Sequence, residues 1–412
     1  MEKLFDLVEK NWRKNWKKQV TMNSLPEVQS DMQKQFGVLQ SLNANLHLRP
    51  IDKQKIFGNR WHTDYPQQGL TNLPAEVLEM LSGCDLILPF YNGQPNFLSK
   101  DLKCPGDVLV DFDKSDARPT LRIKNVKAPG SRSVVAIVDL VGNLSGVDSQ
   151  KPFQAHTEWS IQVDSDAKTE LFFMHMAVNE ISMLQSRKID LRMESGSECR
   201  MSVVSWGSAE SIHGITLSGE LKNNSKLEIF RLNKSGMVQS GENIFSLAGE
   251  GAHVAIQGVH LGQGAQRCVQ VTSLQHQKPH TTSVHMERGI WAGKSQGIFT
   301  GRIVLGKNAP QSSAEQLIKN LILSPTANAV SEPQLEVFND DVKAKHGATV
   351  AQLNDEELFY FQSRGISKKD AEHELVNGFI AAGLQAVSGW ALEQSLVAIL
   401  KRASDLSEDT TS

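Results

Sequence analysis

Four sets of side chains have the types needed for chemistry. His276, His280 and His285 are candidate metal ligands: in a helix the first two share a face, as zinc ligands do. Pro279 and the run Thr281-Thr282-Ser283-Val284 read instead as extended chain. There, residues four apart stand ~13 Å apart, too far for one ion to bridge, so polar side chains on a β surface are expected. Cys84, Cys104, Cys199 and Cys268 supply the number of thiolates that hold an iron–sulfur cluster, but they lie far apart with no Cys-x-x-Cys pair. Only the fold could bring Cys199 and Cys268 together, and the simpler reading is small buried side chains. Asp340 and Asp341 could form an acid–base pair. Neighbours in a strand point to opposite faces, however, and after Asn339 the pair reads as turn residues.

The fourth is His346, an imidazole able to ligate iron or move a proton near neutral pH; taken by itself, a lone histidine reads as a structural residue. No Walker A motif occurs, and Gly258, Gly262 and Gly264 are not followed by Lys-Ser or Lys-Thr at P-loop spacing. The chain is not expected to hydrolyse ATP itself.

The elements that must position these groups change along the chain. Leu4, Phe5, Val8, Trp12 and Trp16 fall on one helical face. Lys10, Arg13, Lys14, Lys17 and Lys18 lie beside them, and an amphipathic helix docked on its own domain or a partner is expected rather than one bound to nucleic acid or membrane. Leu86 to Tyr91, then Asn92-Gly93, then Phe97 to Ser99 read as strand, turn and strand. From about 115 to 345, short apolar runs separated by turn residues predict strands, among them 201–206, 227–232, 254–259 and 298–304. No proline occurs between Pro152 and Pro279, which suits consecutively bonded strands. No strict hexapeptide or nonapeptide repeat separates a sandwich from a β-helix. Helix returns at the end. Asn354 and Glu357 have capping-box spacing, and Gly365 is a stop. A second helix starts at Ser367 with Ala371, Leu375, Phe379 and Gly383 down one face, and a third runs from about Trp390 to Arg402.

At 412 residues the chain exceeds the ~250–300 at which a single core stops growing. A formal charge of −3 gives no overall reason to bind nucleic acid or anionic lipid, so protein partners are expected. The start, Met1 to Asp6, has early acidic residues and no apolar stretch, and nothing approaches the ~20 apolar residues of a membrane span. With scattered cysteines, the cytoplasm is the expected compartment.

The run from Glu332 through Asn339-Asp340-Asp341-Val342-Lys343-Ala344-Lys345-His346-Gly347-Ala348-Thr349, leading into Glu357-Leu358-Phe359-Tyr360-Phe361-Gln362-Ser363-Arg364-Gly365-Ile366, resembles the C-terminal signature of the SufB/SufD family. These are scaffold subunits of iron–sulfur cluster assembly. The likeness extends upstream through Gly297 to Ile303 and Leu321 to Ser324, and covers about the last third of the chain. The segment from Leu86 to Val110 is more similar to SufD than to SufB.

The resemblance implies a mainly β fold, a right-handed parallel β-helix flanked by N-terminal and C-terminal helical regions. The implied divisions are 1–110 mostly helical, 111–350 the β-helix core, 351–403 a helical ATPase-binding region and 404–412 a flexible tail. It implies pairing with a SufB-like scaffold, with His346 at that interface as cluster-assembly residue and metal ligand. It also implies binding of a SufC-like ABC ATPase through Phe359, Tyr360, Arg364, Gly365, Ile366 and Phe379. No cofactor is expected to be held stably: the Fe-S cluster is transient and shared with SufB, and ATP is bound by SufC. Many relatives have Cys and Ser where this chain has Ala344 and Lys345. That removes a thiolate, so His346 must act with ligands from the partner, while Lys345 attracts anionic sulfur species or is simply solvated. A non-catalytic scaffold is the reading adopted, with a homodimer possible when the chain is alone. The rivals are a cytosolic β-helix enzyme acting on carbohydrate, and the SufB role itself.

Overall fold

The structure, a computed structural model, describes residues 81, 83–91, 94–95, 108–112, 119–123, 132–141, 153–177, 183–206, 211–234 and 236–403. The expected helix at Leu4 to Trp16, the strand at 97–99 and the tail 404–412 lie outside the described residues.

The alternating apolar runs form two sheets. One orders β1 (Leu86–Tyr91) between the short β2 (Gln94–Pro95) and β5 (Ser133–Val141), then β7 (Lys168–Ala177), β9 (Glu198–Trp206), β11 (Lys226–Lys234), β13 (His253–Gly262), β15 (Thr282–Trp291), β17 (Ser312–Ile322) and β19 (Val342–Gln352). The other runs from β3 (Val108–Phe112) and β4 (Pro119–Ile123) through β6 (Phe153–Val163), β8 (Met183–Met193), β10 (Ile212–Leu221), β12 (Val238–Leu247), β14 (Arg267–His276) and β16 (Gln296–Leu305) to β18 (Asn328–Val337). From β5 onward every strand pairs in parallel with the strand two further on, so the chain winds as a β-helix. β1 already pairs with β5, and the winding therefore begins inside the segment expected to be mostly helical.

One corner of the coil is fixed by residues in the left-handed region. Asp166, Gly196, Asn224, Gly251, His280 and Gln311 all have φ between 54° and 71°. The N–H of each donates to a carbonyl one coil further on, from Asp166 to Ser195 through Gln311 to Asp341. Gly196 and Gly251 sit where a β-carbon would collide with Asp166 Oδ1 and Asn224 Oδ1. Asp, Asn and Gly tolerate this conformation best, so side chain and glycine alternate over these first four coils.

Inside the coil, one half is apolar, filled by residues such as Leu171, Leu191, Ile229, Ile256, Leu274 and Ile303. The outer face of the larger sheet is also buried. Phe172, Phe230, Val259 and Ile290 pack against Val376, Ile380, Trp390 and Leu396 of the C-terminal helices.

Those helices are α1 (Asp355–Ser363), α2 (Lys368–Leu384) and α3 (Glu393–Ala403). The Asn354 side chain caps α1 through the Glu356 amide, 2.9 Å, one residue short of the spacing expected with Glu357. Ser367 Oγ caps α2 through the Asp370 amide, 3.1 Å, and donates to Asp370 Oδ2. Gly365 ends α1 at φ +83°. On α2 the fully buried positions are Ala371, Val376 and Ile380, a stripe rotated from the expected Ala371, Leu375, Phe379 and Gly383. Helix α3 starts at Glu393 rather than Trp390, because the buried Glu170 carboxylate takes the Ala391 and Leu392 amides at 3.0 and 3.2 Å. Among the described residues no helix is long and apolar enough to cross a membrane.

Candidate functional site

Among the described residues nothing caps the last strands of the winding. There β18 and β19 are each bonded on one side only and end their sheets, so ten- and eleven-residue strands present open edges. Isolated edges of this length template further pairing. Lys343, Lys345 and Pro333 temper them, while Val337, Phe338 and Val350 are about half exposed beside them.

His346 lies in the middle of β19, exposed, in register with Gln316 on β17. Partners in a parallel ladder share a face, so His346 continues the inward file of the coil at its open end. Gln316 is buried; its Nε2 lies 3.0 Å from His285 Nδ1, and its Oε1 has no hydrogen-bond partner. Ala344 has the same facing as His346 and offers no ligand. Lys345 faces outward, where its Nζ pairs with Glu315 at 2.8 Å; it is thus engaged on the side away from His346. Asp341 N–H donates to Asn339 Oδ1, 2.9 Å, and Asp340 and Asp341 are exposed in the β18–β19 turn, as turn residues should be.

Helix α1 forms a second exposed feature. Phe359 and Tyr360 are 71% and 55% exposed, and the Arg364 guanidinium stacks 4.8 Å from the Tyr360 ring centre. An open recess of about 530 Å³ is lined by Asn354, Glu356, Glu357, Tyr360, Phe361 and Leu375. Ile366 N–H closes the turn onto Phe361 O. Phe379 is different: it is half-buried on the sheet-facing cluster, under the Arg288 guanidinium.

The histidine trio is not a metal set. His276 bonds Thr281 Oγ1 and Ser283 Oγ at 2.8 Å each, and burial pushes its pKa down to about 4. His280 occupies a left-handed corner position, and His285 faces Gln316. Among the described residues no group of three or more His, Cys, Asp or Glu could hold a metal. Cys199 belongs to the apolar half of the interior and Cys268 to the other, so winding does not unite them.

That other half is a polar network which the sequence reading missed. Arg231, Gly258 and Glu287 stack in register. His260 Nε2 meets Glu287 Oε2 at 2.7 Å across Gly258, His285 Nε2 lies 3.3 Å from Glu287 Oε1, and Asn243 accepts from Arg231 at 3.0 Å. Arg231, His260 and Glu287 are at most 1% exposed. The available signal was polar residues at inward parity in successive strands, such as Arg231 beside Leu227 and Ile229.

The parallel β-helix is matched by the family described as SUF system FeS cluster assembly, SufBD core domain, over residues 146–379. The chain belongs to this SufBD family. It is 32% identical over 152 residues to the iron-sulfur cluster assembly protein SufD of Escherichia coli (strain K12), covering 37% of this chain and 36% of that protein. It is 29% identical over 161 residues to SufD of Bacillus subtilis (strain 168), covering 39% and 37%. Protein ABCI7, chloroplastic, of Arabidopsis thaliana is 37% identical over 102 residues, covering 24% and 22%. The matched stretch thus spans little more than a third of either SufD.

Proposed function

We propose that this chain is a SufD-like scaffold subunit in cytoplasmic SUF-type iron–sulfur cluster assembly. The observation that carries the reading is the coil end, where among the described residues the two long strands β18 and β19 end their sheets and β19 carries an exposed, inward-facing His346. A SufB-like β-helix adds to β18 and β19 by edge-to-edge hydrogen bonding, enclosing His346 at the junction. The growing cluster is cargo at that junction: His346 supplies one ligand or a proton-transfer group, and the partner supplies the thiolates that Ala344 and Lys345 do not.

The exposed Phe359–Tyr360–Arg364 face of α1 receives a SufC-like ABC ATPase. Aromatic and arginine side chains on an exposed helix are the usual anchors of such contacts. Gly365 and Ile366 fix the angle between α1 and α2, and Phe379 acts indirectly by seating α2. The chain is then non-catalytic alone, holds no cofactor stably, and receives ATP-driven work through its partner.

The test is co-expression of the tagged chain with SufB-like and SufC-like proteins of one organism, followed by native mass determination. A complex holding all three supports the reading. A monomer or homodimer that ignores both partners overturns it, and cleavage of acidic polysaccharide by the pure chain then establishes the carbohydrate-enzyme alternative.

A further inference from the structure

We propose that Gln316 is the positioning residue for His346: its side-chain oxygen accepts a hydrogen bond from one ring N–H, which fixes the tautomer and leaves the other nitrogen bare as a ligand. What that ligand serves rests on the scaffold reading above; the hydrogen bond itself does not.

The polarity of the link is set from inside the coil. Glu287 is 1% exposed, and each of its carboxylate oxygens faces an imidazole, His260 Nε2 at 2.7 Å and His285 Nε2 at 3.3 Å. Burial pushes the Glu287 carboxyl up, but the two imidazoles outweigh it and hold it down to about 2. A carboxylate only accepts, so His285 donates from Nε2 and its Nδ1 is left as an acceptor. Gln316 Nε2 donates to that nitrogen at 3.0 Å. Turning the amide over would set its oxygen against the bare Nδ1, so Oε1 must find its partner elsewhere.

The amide is also held in place. It lies across the coil over Gly301, where an added β-carbon would collide with Gln316 Nε2 and come within 2.9 Å of His285 Nδ1. Gln316 is 1% exposed and its Oε1 has no partner, and a buried carbonyl oxygen left in that state bears its full desolvation cost. Asn320, on the same face of β17, shows the contrast. Its Oδ1 accepts from Trp291 Nε1 at 2.7 Å, and its Nδ2 donates to Ser331 Oγ at 2.9 Å.

His346 is the side chain placed to supply the donor. It is in register with Gln316, on the same face and one strand spacing, ~4.8 Å, further along the coil. Ala344 and Ala348, which share this facing, carry no side-chain donor, and Lys345 is paired with Glu315 on the opposite face. An imidazole that donates from one nitrogen presents a lone pair on the other, and such an outer hydrogen bond orients the ring and raises its basicity as a ligand. Glu287, His285, Gln316 and His346 then form one directed series that ends in a bare nitrogen at the coil end.

The test labels the histidines of the full chain with 15N and records the two ring nitrogen shifts of His346, identified by their loss in His346→Asn. The pH is about 8.5, two units above an ordinary imidazole. The expected result is one tautomer, with one protonated and one bare nitrogen, and a collapse towards the averaged shifts of a solvated ring in Gln316→Leu. Averaged shifts in the wild type overturn the proposal even where that variant does not fold, as does a tautomer unchanged by Gln316→Leu. In the complex with SufB-like and SufC-like proteins, Gln316→Leu should cut retained iron and sulfide by about tenfold or more at unchanged native mass; unchanged retention overturns the positioning role. A wild-type complex that fails to form or holds no cluster overturns the scaffold reading instead, and the ring shifts of the isolated chain still decide the hydrogen bond.

Discussion

His346 stands one rung beyond Gln316 in the β17–β19 ladder, and Gln316 in turn pairs in register with His285 on β15, whose Nε2 lies 3.3 Å from the buried Glu287 carboxylate. The exposed imidazole is therefore the end of an internal network, set where the coil stops. His346→Ala removes no packing, and its stability change should lie within about 0.5 kcal/mol. Complex formation should persist while cluster formation is lost. Melting temperature, native mass, and iron and sulfide content of the co-purified complex check the three parts.

Ala344 shares the facing of His346 two residues along β19, so Ala344→Cys puts a thiolate donor on the same face. The expected outcome is more iron and sulfide retained per complex than in the wild type, with a visible thiolate-to-iron absorption. Lys345→Ala should change retention little, because Lys345 faces Glu315 on the other side.

The edge strands give a second test. Val350→Asp places a charge in the exposed β19 edge, where pairing would bury it. Association with the SufB-like partner should weaken at least tenfold, about 1.4 kcal/mol or more, while the isolated chain melts normally. Surface plasmon resonance and thermal denaturation separate these outcomes; a shared loss of both would point to misfolding instead.

Much of this was legible in the sequence, for reasons that differ by element. Residues 201–206, 227–232, 254–259 and 298–304 fall inside β9, β11, β13 and β16, because period-2 alternation is a local property. The coil was not locally readable. Ile212 pairs with Val238, Val238 with Arg267 and Gln296 with Asn328, so one turn takes 26, 29 or 32 residues and no fixed repeat survives. The resemblance supplied the β-helix instead. The polar interior was missed because Arg231 and Glu287 occupy core parity, where a charged residue is costly without partners, and partners such as Asn243 and His260 are 12 and 27 residues away in the sequence. Phe379 was grouped with Phe359 by proximity to the same motif, yet one seats α2 on the sheet and the other faces outward.

That difference is measurable. Phe359→Ala and Tyr360→Ala should weaken binding of the SufC-like ATPase by about 10- to 100-fold, about 1.4–2.8 kcal/mol, and leave unfolding unchanged. Phe379→Ala should lower stability by about 1–3 kcal/mol, less than a fully buried phenylalanine because it is half-exposed. Calorimetric titration with the ATPase and urea denaturation should sort the three variants into these two groups.

The buried histidines give the fold a pH optimum whose two limbs have opposite origins. Burial pushes His276 and His213 down to about 4 and about 3, the second aided by Arg187. Their unfolded forms, near 6.5, bind protons first, so stability falls as pH drops from about 6.5 towards 4. His260, held up at about 9 against burial by Cys268 and Glu287, keeps its proton after the unfolded imidazole has lost one. Its contribution is complete below about 6.5 and is lost as pH rises through 9. Urea midpoints should therefore peak near pH 6–7 and decline on both sides. His276→Asn, which retains hydrogen-bonding capacity towards Thr281 and Ser283, should make the acid limb shallower, leaving the part due to His213, and leave the alkaline limb unchanged. His260→Gln should lower the midpoint at pH 6.5 and flatten the alkaline limb alone, and an alkaline limb unchanged in that variant would show that His260 is not the group whose proton is retained.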